Sequence, residues 1–184
     1  APVITSIGPV HQGGPQPGYN AAGQLTASPD GTKIALGTYD LGYFEIYDFN
    51  STTGVISNQI QIPGYAHSWG VQFSPNSKKL YATKWTDSGI YQFDLQAGSA
   101  ADIINSVTLI GTATSPDPNY KAGFLQLAPD GKIYVAKFTS GYAGRIEHPN
   151  VPGVACEYTD NALYLAGKTC QAGFPNCITT YLYF

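Results

Sequence analysis

The sequence predicts an all-β fold made of β-propeller blades, each with four antiparallel strands, and three such blades are visible in the chain. One stretch occurs three times, around Pro29, Pro75 and Pro129, which stand 46 and 54 residues apart. In each copy, strand-like alternation surrounds a turn that starts with proline. Repeats of this length that contain only strands are typical of propeller blades.

The first copy shows how the residues specify a blade. Residues 23–27 alternate before the turn Ser28-Pro-Asp-Gly31. In this turn the proline fixes φ, the aspartate bonds the backbone ahead and the glycine accepts a positive φ. Three further strands are expected at 33–39, 44–49 and 55–62. Four antiparallel strands within about 40 residues make one blade.

The same pattern predicts where the remaining strands lie. A short leading strand is expected at 3–7, because β-branched residues alternate there. The connection 96–104 is the one place where a helical turn is expected. The later strands are predicted at 71–74, 79–85, 89–95 and 103–110 for blade 2, at 124–128, 132–138, 143–148 and 156–158 for blade 3, and at 177–184 for a further strand.

The pattern divides the chain into a leading strand and loop, three blades and a closing segment, with bounds 1–22, 23–69, 70–122, 123–166 and 167–184. Three blades alone would expose two blade faces and the edges that closure normally protects. We therefore expect either a fragment of a longer propeller or closure by association. Two copies related by a twofold operation would make a six-bladed ring.

Composition limits the possible partners and locations. Only 11% of the residues are charged, while there are 14 Tyr, 21 Gly and 13 Pro, which is typical of an extracellular, turn-rich β protein. The net charge of −3, with scattered Lys and Arg, argues against nucleic acid as a partner. No membrane span is expected, because no apolar run reaches about 18 residues. The chain has no Met and no start resembling a signal peptide, so we expect Ala1 to be an internal or processed start.

The three cysteines all lie near the end of the sequence, and an odd number permits at most one internal disulfide. Cys170 and Cys177 flank a turn-rich segment that a bridge would close. Cys156–Cys170 is an alternative pair, and three free buried thiols are a third possibility. No cysteine has a second one two to four residues away, so neither a metal site nor a cofactor is expected.

The blade pattern resembles the repeats of the WD-repeat-like and YVTN-like propellers. More closely, the chain from Gly23 onward resembles the propeller region of large cell-surface proteins of gliding bacteria that use type IX secretion. The resemblance rests on Leu125–Ala136, Pro149-Asn150, Cys156 and Gly173-Phe-Pro-Asn-Cys177. Phe174, Cys177 and the extra Cys170 depart from the family pattern. The resemblance implies a propeller of about six or seven blades, located at the cell surface with adhesion modules downstream.

Large aromatic residues recur at one position of the repeat and suggest a ligand-binding rim. Tyr39, Trp85 and Phe138 all follow the second strand of a blade. Three such rings on one side could stack on sugar rings, or could instead pack between blades. His67 and Trp69, in the connection between the first two blades, are further binding candidates. Lys84 and Lys137 would add hydrogen bonds to a ligand or extend to water.

No catalytic residue is assigned from the sequence. Asp48, Asp94 and Glu147 occupy one repeat position, and an acid present in every blade is expected to support the structure. The leading hypothesis is a non-catalytic extracellular scaffold for protein or glycan contacts in a surface-adhesion or filamentous assembly. Its partners would be other copies of itself, the rest of a larger surface protein, or glycans. The alternatives are a propeller-type sugar lactonase, to which YVTN-like repeats are similar, and a lectin-like binder using the aromatic rim.

Overall fold

The chain folds as three blades of a β-propeller, as the sequence predicts. The computed structural model describes residues 2–11 and 21–175 of the 184-residue chain. These residues form three four-stranded antiparallel sheets, and the strands of each sheet follow chain order. The strands are β1 (Leu25–Ala27), β2 (Lys33–Thr38), β3 (Tyr43–Asn50), β4 (Val55–Pro63), β5 (Ser68–Phe73), β6 (Lys79–Lys84), β7 (Gly89–Asp94), β8 (Thr108–Thr112), β9 (Ala122–Leu127), β10 (Ile133–Lys137), β11 (Tyr142–Ile146) and β12 (Tyr158–Tyr164).

The three blades stack side by side in chain order. Blade 1 comprises β1–β4, blade 2 β5–β8 and blade 3 β9–β12. The first strands lie innermost, where β1 contacts β5 and β5 contacts β9. We call the side of a blade that is turned toward the preceding blade its leading face, and the opposite side its trailing face. The hydrophobic core therefore consists of layers between a trailing face and the next leading face.

Two such layers hold the blades together. Between blades 1 and 2, the trailing residues Ala35, Phe44 and Ile46 pack on the leading face of blade 2. The second layer is built in the same way between blades 2 and 3. Its trailing residues are Tyr81, Ile90 and Ile110, and its leading residues are Leu125, Leu127, Ile133, Val135 and Ile146. Burial of these large side chains provides most of the free energy that joins successive blades.

The turn between the first and second strands has the conformation that its residues predict. Gly31 and Gly131 adopt φ of 69° and 76°, and Ser77 takes the same left-handed conformation with φ of 59°. In blade 1 the Ser28 hydroxyl donates a 2.6 Å hydrogen bond to Asp30. These turns lie at the end of each blade opposite to the start of its first strand.

Blade 2 departs from the prediction before its outer strand. The helical turn expected at 96–104 is present as α1 (Ala100–Asn105), but it extends into the strand expected at 103–110, so β8 begins only at Thr108. The Ser99 hydroxyl accepts from Asp102 N, while the Asp102 carboxylate accepts from Ser99 N. This capping box starts a short helix that buries Ile103. Among the described residues, no helix has the length and apolar character that crossing a membrane requires.

Three further expectations have different outcomes. Blade 3 has the expected fourth strand, but the bounds 156–158 are wrong, because a 3-10 helix (Gly153–Cys156) comes first and β12 runs from Tyr158 to Tyr164. The expected strand at 3–7 is wrong, because these residues run across blade 1 without joining a sheet. The strand expected at 177–184 lies outside the described residues.

Candidate functional site

Aromatic side chains gather at one end of the three blades. In an antiparallel pair, the end of the second strand lies beside the start of the first. Tyr39, Trp85 and Phe138 directly follow β2, β6 and β10, while Trp69 and Phe124 lie near the starts of β5 and β9. The topology therefore brings residues from all three blades to the same face of the molecule.

All five of the predicted binding residues come together there. The Trp69 ring lies 6.0 Å from Tyr39 and 4.4 Å from Trp85, measured between ring centroids. Phe138 continues the series at 5.5 Å from Trp85. His67 covers the other side of Tyr39 at 4.6 Å. Most of these distances are those of favourable aromatic pairs, so the rings form one connected cluster.

Two members of the cluster were missed by sequence reasoning. The Phe124 ring stacks on Trp69 at 5.1 Å and 26°. Tyr120 lies 5.0 Å from Trp85 and 5.5 Å from Phe138. Phe124 follows a glycine that recurs in the repeats, which was an available signal, whereas Tyr120 lies in a connection without a repeat counterpart. We call the seven residues the aromatic rim: Tyr39, His67, Trp69, Trp85, Tyr120, Phe124 and Phe138.

The aromatic rim is half-buried and held rigidly. All seven side chains are partly exposed, and none is fully covered by a neighbouring blade. Backbone hydrogen bonds join the segments that carry these residues, with Trp85 N donating to His67 O at 2.9 Å and Lys121 N, next to Tyr120, donating to Trp85 O at 3.3 Å. The His67 Nδ1 atom lies 3.0 Å from the Thr86 hydroxyl. A rigid, partly exposed set of rings loses little entropy when it binds a ligand.

Lys84 and Lys137, the two lysines considered as ligand contacts, are both held in ion pairs. Lys84 pairs with Asp87 at 3.0 Å. Burial alone would raise the pKa of Asp87, but the Gly89 amide and Lys84 outweigh it and lower the pKa. Lys137 is fully buried and forms an ion pair with Asp160 at 3.1 Å. The expectation that Lys137 reaches a ligand or water is therefore wrong, because its charge is needed inside the protein.

The acids that repeat in the three blades have a structural role. Each one pairs with a lysine at the start of the second strand of its own blade, or directly before it in blade 3. The distances are 2.6 Å for Lys33–Asp48 and 2.9 Å for Lys79–Asp94, and blade 3 has the equivalent Lys132–Glu147 pair. These pairs connect the second and third strands at the end of the blade opposite to the aromatic rim.

The two cysteines of the described residues, Cys156 and Cys170, are not joined to each other by a disulfide. Cys156 and Cys170 are both buried. Cys156 O accepts from His148 N, whereas Cys170 N donates to Ser140 O, so the two lie beyond opposite ends of β11. Five strand residues span about 16 Å, well beyond the reach of a disulfide, so the expected Cys156–Cys170 pair is wrong. Cys177 lies outside the described residues, and its pairing with Cys170 remains a prediction.

Thiol reactivity should follow this burial. Burial raises the pKa of both Cys156 and Cys170, which disfavours the reactive thiolate. We expect Cys156 to resist alkylation in the folded protein and to react once it is unfolded in urea. Peptide mass spectrometry after labelling would show this. Rapid labelling of Cys156 without urea would contradict the buried position, and labelling of Cys170 only after reduction would reveal a bridge to Cys177.

Comparison with known proteins supports the fold. No protein-family model and no curated protein match the sequence. Among solved structures, a functionally unknown protein from Desulfotomaculum acetoxidans is similar over 83% of this chain and 44% of its own, with 12% identity and a TM-score of 0.50. Hydrazine synthase from Kuenenia stuttgartiensis is similar over 79% of this chain and 37% of its own, with 14% identity and a TM-score of 0.49.

A third solved structure is similar to about the same extent. It is a putative 6-phosphogluconolactonase from Bacteroides uniformis, matched over 77% of this chain and 41% of its own, with 19% identity and a TM-score of 0.48. This chain spans less than half the length of each of the three proteins. At such identities the likeness concerns the fold alone.

Proposed function

We propose that this chain is part of a non-catalytic propeller scaffold that binds carbohydrate through the aromatic rim. The observation that carries this function is the continuous series of seven partly exposed rings across three blades. Phe44, Phe73 and Phe93, which pack in the layer between blades 1 and 2, are completely buried. The rim residues keep part of their surface open to solvent instead.

The chemistry of the rim suits sugars. The C–H faces of a pyranose ring stack on aromatic surfaces, and the hydroxyl of Tyr120 and the imidazole of His67 add polar groups at the edges. Trp69 and Trp85, the two tryptophans of the chain, both belong to the rim. A net charge of −3 makes a neutral glycan a better ligand than a polyanion.

The scaffold would act outside the cell, as part of a surface-adhesion assembly. The low charged fraction and the abundance of Tyr, Gly and Pro support this location, as does the resemblance of the repeats to surface propellers. The recurring acids Asp48, Asp94 and Glu147, the candidates for proton transfer in a lactonase, are held in ion pairs with lysines. We therefore place the lactonase function second.

Glycan binding should be visible in the intrinsic fluorescence, because both tryptophans lie in the rim. We expect cellohexaose or chitohexaose to shift the emission of the native protein. Trp85→Ala should weaken binding about fivefold, since one aromatic contact contributes about 1 kcal/mol. Isothermal titration calorimetry on the same samples would give the dissociation constants.

Tyr134→Ala is the matched control. Tyr134 is also a half-buried aromatic residue, but its hydroxyl donates a 2.9 Å hydrogen bond to Asp130, in the turn at the end of blade 3 opposite to the rim. The Tyr134→Ala protein should bind the oligosaccharide with unchanged affinity. Circular dichroism would confirm that both variants are folded. Equal affinities for Trp85→Ala and the native protein, or no binding by any neutral oligosaccharide, would refute the proposed function.

A further inference from the structure

The rings of the aromatic rim do not lie in one plane. The Trp69 ring is inclined by 85° to Tyr39 and by 50° to Trp85, measured between ring planes. Phe138 is inclined by 66° to Trp85. The smallest angle between two contacting rings of the rim is 26°, between Trp69 and Phe124. The rim is therefore a row of tilted rings and not a flat platform.

The arrangement of the blades explains the tilt of the recurring rings. Tyr39, Trp85 and Phe138 hold one repeat position, and each blade of a propeller is rotated about the central axis relative to the blade before it. Rings at equivalent positions rotate with their blades, so their planes diverge unless every ring is perpendicular to the axis. The angle of 66° between Trp85 and Phe138 shows that the planes diverge.

Neighbouring rings hold these angles in place. The Trp69 ring contacts Trp85 at 4.4 Å and Phe124 at 5.1 Å, and its Nε1 atom is buried. Phe138 in turn contacts Trp85 and Tyr120, each at 5.5 Å. In a close-packed cluster, a ring with two neighbours cannot turn without displacing one of them. We therefore expect the rim to keep its tilted shape when a ligand binds.

A tilted rim distinguishes between physical forms of the same glycan. A sugar stacks on an aromatic ring when the two rings are roughly parallel. The sugar rings on the face of a crystalline polysaccharide share one plane, so that face can stack on rim rings of one orientation only. A single chain rotates about its glycosidic bonds, and its successive sugars can face rings of different orientation.

The number of rings in contact sets the difference in affinity. Each additional aromatic contact strengthens binding about fivefold. A chain that contacts Tyr39, Trp85 and Phe138 would therefore bind about 25-fold more tightly than a flat face that reaches one of these rings.

We propose that the rim binds a single, separated chain of a neutral polysaccharide and not the flat face of the crystalline polymer. This proposal rests on the proposed function, because it names the physical form of the glycan that the same rim binds. Successive sugars of the chain face Tyr39, Trp85 and Phe138 in turn, and the chain twists to follow their planes.

Binding to two forms of one polymer tests this proposal. Calorimetry with cellohexaose and chitohexaose first shows whether cellulose or chitin is the appropriate polymer. The native protein is then incubated with that polymer in crystalline form and in acid-swollen, amorphous form, and the bound fraction is measured after sedimentation. We expect binding to the swollen form to be at least tenfold tighter per accessible surface, and the hexasaccharide should release the protein from it.

Three rim variants test whether one chain contacts several rings. Tyr39→Ala, Trp85→Ala and Phe138→Ala should each weaken hexasaccharide binding about fivefold. Tyr134→Ala, at the opposite end of blade 3, should bind like the native protein, and circular dichroism would confirm that all four variants are folded.

The outcomes separate this proposal from the proposed function. Equal binding to the swollen and the crystalline polymer, or a loss of affinity in one rim variant alone, would overturn this proposal and leave glycan binding in place. Absence of binding to both hexasaccharides would overturn the two proposals together.

Discussion

Asp160→Ala should lower the free energy of unfolding by about 3 kcal/mol or more, because it leaves a fully buried ammonium group without its counter-ion. Lys137 has no solvent exposure, and its Nζ atom lies 3.1 Å from Asp160. Among residues 2–11 and 21–175, the other group bonded to that Nζ is the Asn161 side chain, which carries no charge to neutralise it. Urea unfolding followed by circular dichroism would measure the loss.

A double variant shows how much of this loss comes from the unpaired buried charge. Lys137→Met with Asp160→Ala removes both charges and should recover most of the loss seen in Asp160→Ala alone. Asp48→Ala is the comparison in a solvent-exposed pair, since Lys33 and Asp48 keep 29% and 42% of their side-chain surface. Asp48→Ala should lower the free energy of unfolding by less than about 1 kcal/mol. Equal losses for Asp160→Ala and Asp48→Ala would contradict the importance of burial.

The same pair should make stability depend on pH. Burial alone would raise the pKa of Asp160, but hydrogen bonds from the Thr114 side chain and backbone and from Lys137 outweigh it, so the pKa is lowered. A carboxylate with a lowered pKa stabilises the folded state above its unfolded pKa, about 3.9, and this contribution disappears as the pH falls through the folded pKa. The stability of Asp160→Ala should therefore fall less steeply below about pH 4 than that of the native protein.

Gln24→Ala should lower the free energy of unfolding by roughly 3 kcal/mol, because the Gln24 side chain makes hydrogen bonds to backbone groups of two other blades. Its Oε1 atom accepts from Val71 N and Leu125 N, both at 3.1 Å, and its Nε2 atom donates to Leu125 O at 2.7 Å. Val71 and Leu125 are completely buried. Buried backbone groups that lose a partner cost about 1–3 kcal/mol each. Urea midpoints of the variant and the native protein would measure this cost.

Two further variants show whether the amide itself is needed. Gln96→Ala changes an exposed glutamine and should leave the midpoint unchanged. Gln24→Glu keeps an acceptor for the two N–H groups but places an oxygen opposite Leu125 O, so it should also destabilise the protein. A native midpoint for Gln24→Ala would show that water replaces the amide at the innermost strands.

The blade architecture was predictable because its signals are local and occur three times. A proline turn flanked by alternating residues specifies two strands wherever it occurs, so the first three strands of each blade were found to within one to three residues. The outer strands of blades 2 and 3 were harder to predict, whereas that of blade 1 was found to within one residue. The apolar residues near Ile103 are compatible with a strand or a helix, and the capping box formed by Ser99 and Asp102 stabilises the helix.

The aromatic rim was predictable in part for the same reason. Tyr39, Trp85 and Phe138 share one repeat position, and equivalent positions of stacked blades lie on one face. Tyr120 has no counterpart in the repeat, and it reaches Trp85 only because the connection from blade 2 to blade 3 passes over the rim. Contacts of that kind depend on how blades are arranged around one another, which no local pattern describes.

The sequence by itself determined the all-β architecture, the number of visible blades and the positions of the recurring aromatic and acidic residues, because each follows from turns and alternation within about 50 residues. Only the tertiary structure decided which groups are buried against which. It turned Lys137 inward to Asp160, separated Cys156 from Cys170 by the length of β11, and left Leu25 exposed while its counterparts in the other blades are covered. These outcomes depend on neighbours that are distant in the chain, and burial and pairing are set by such neighbours.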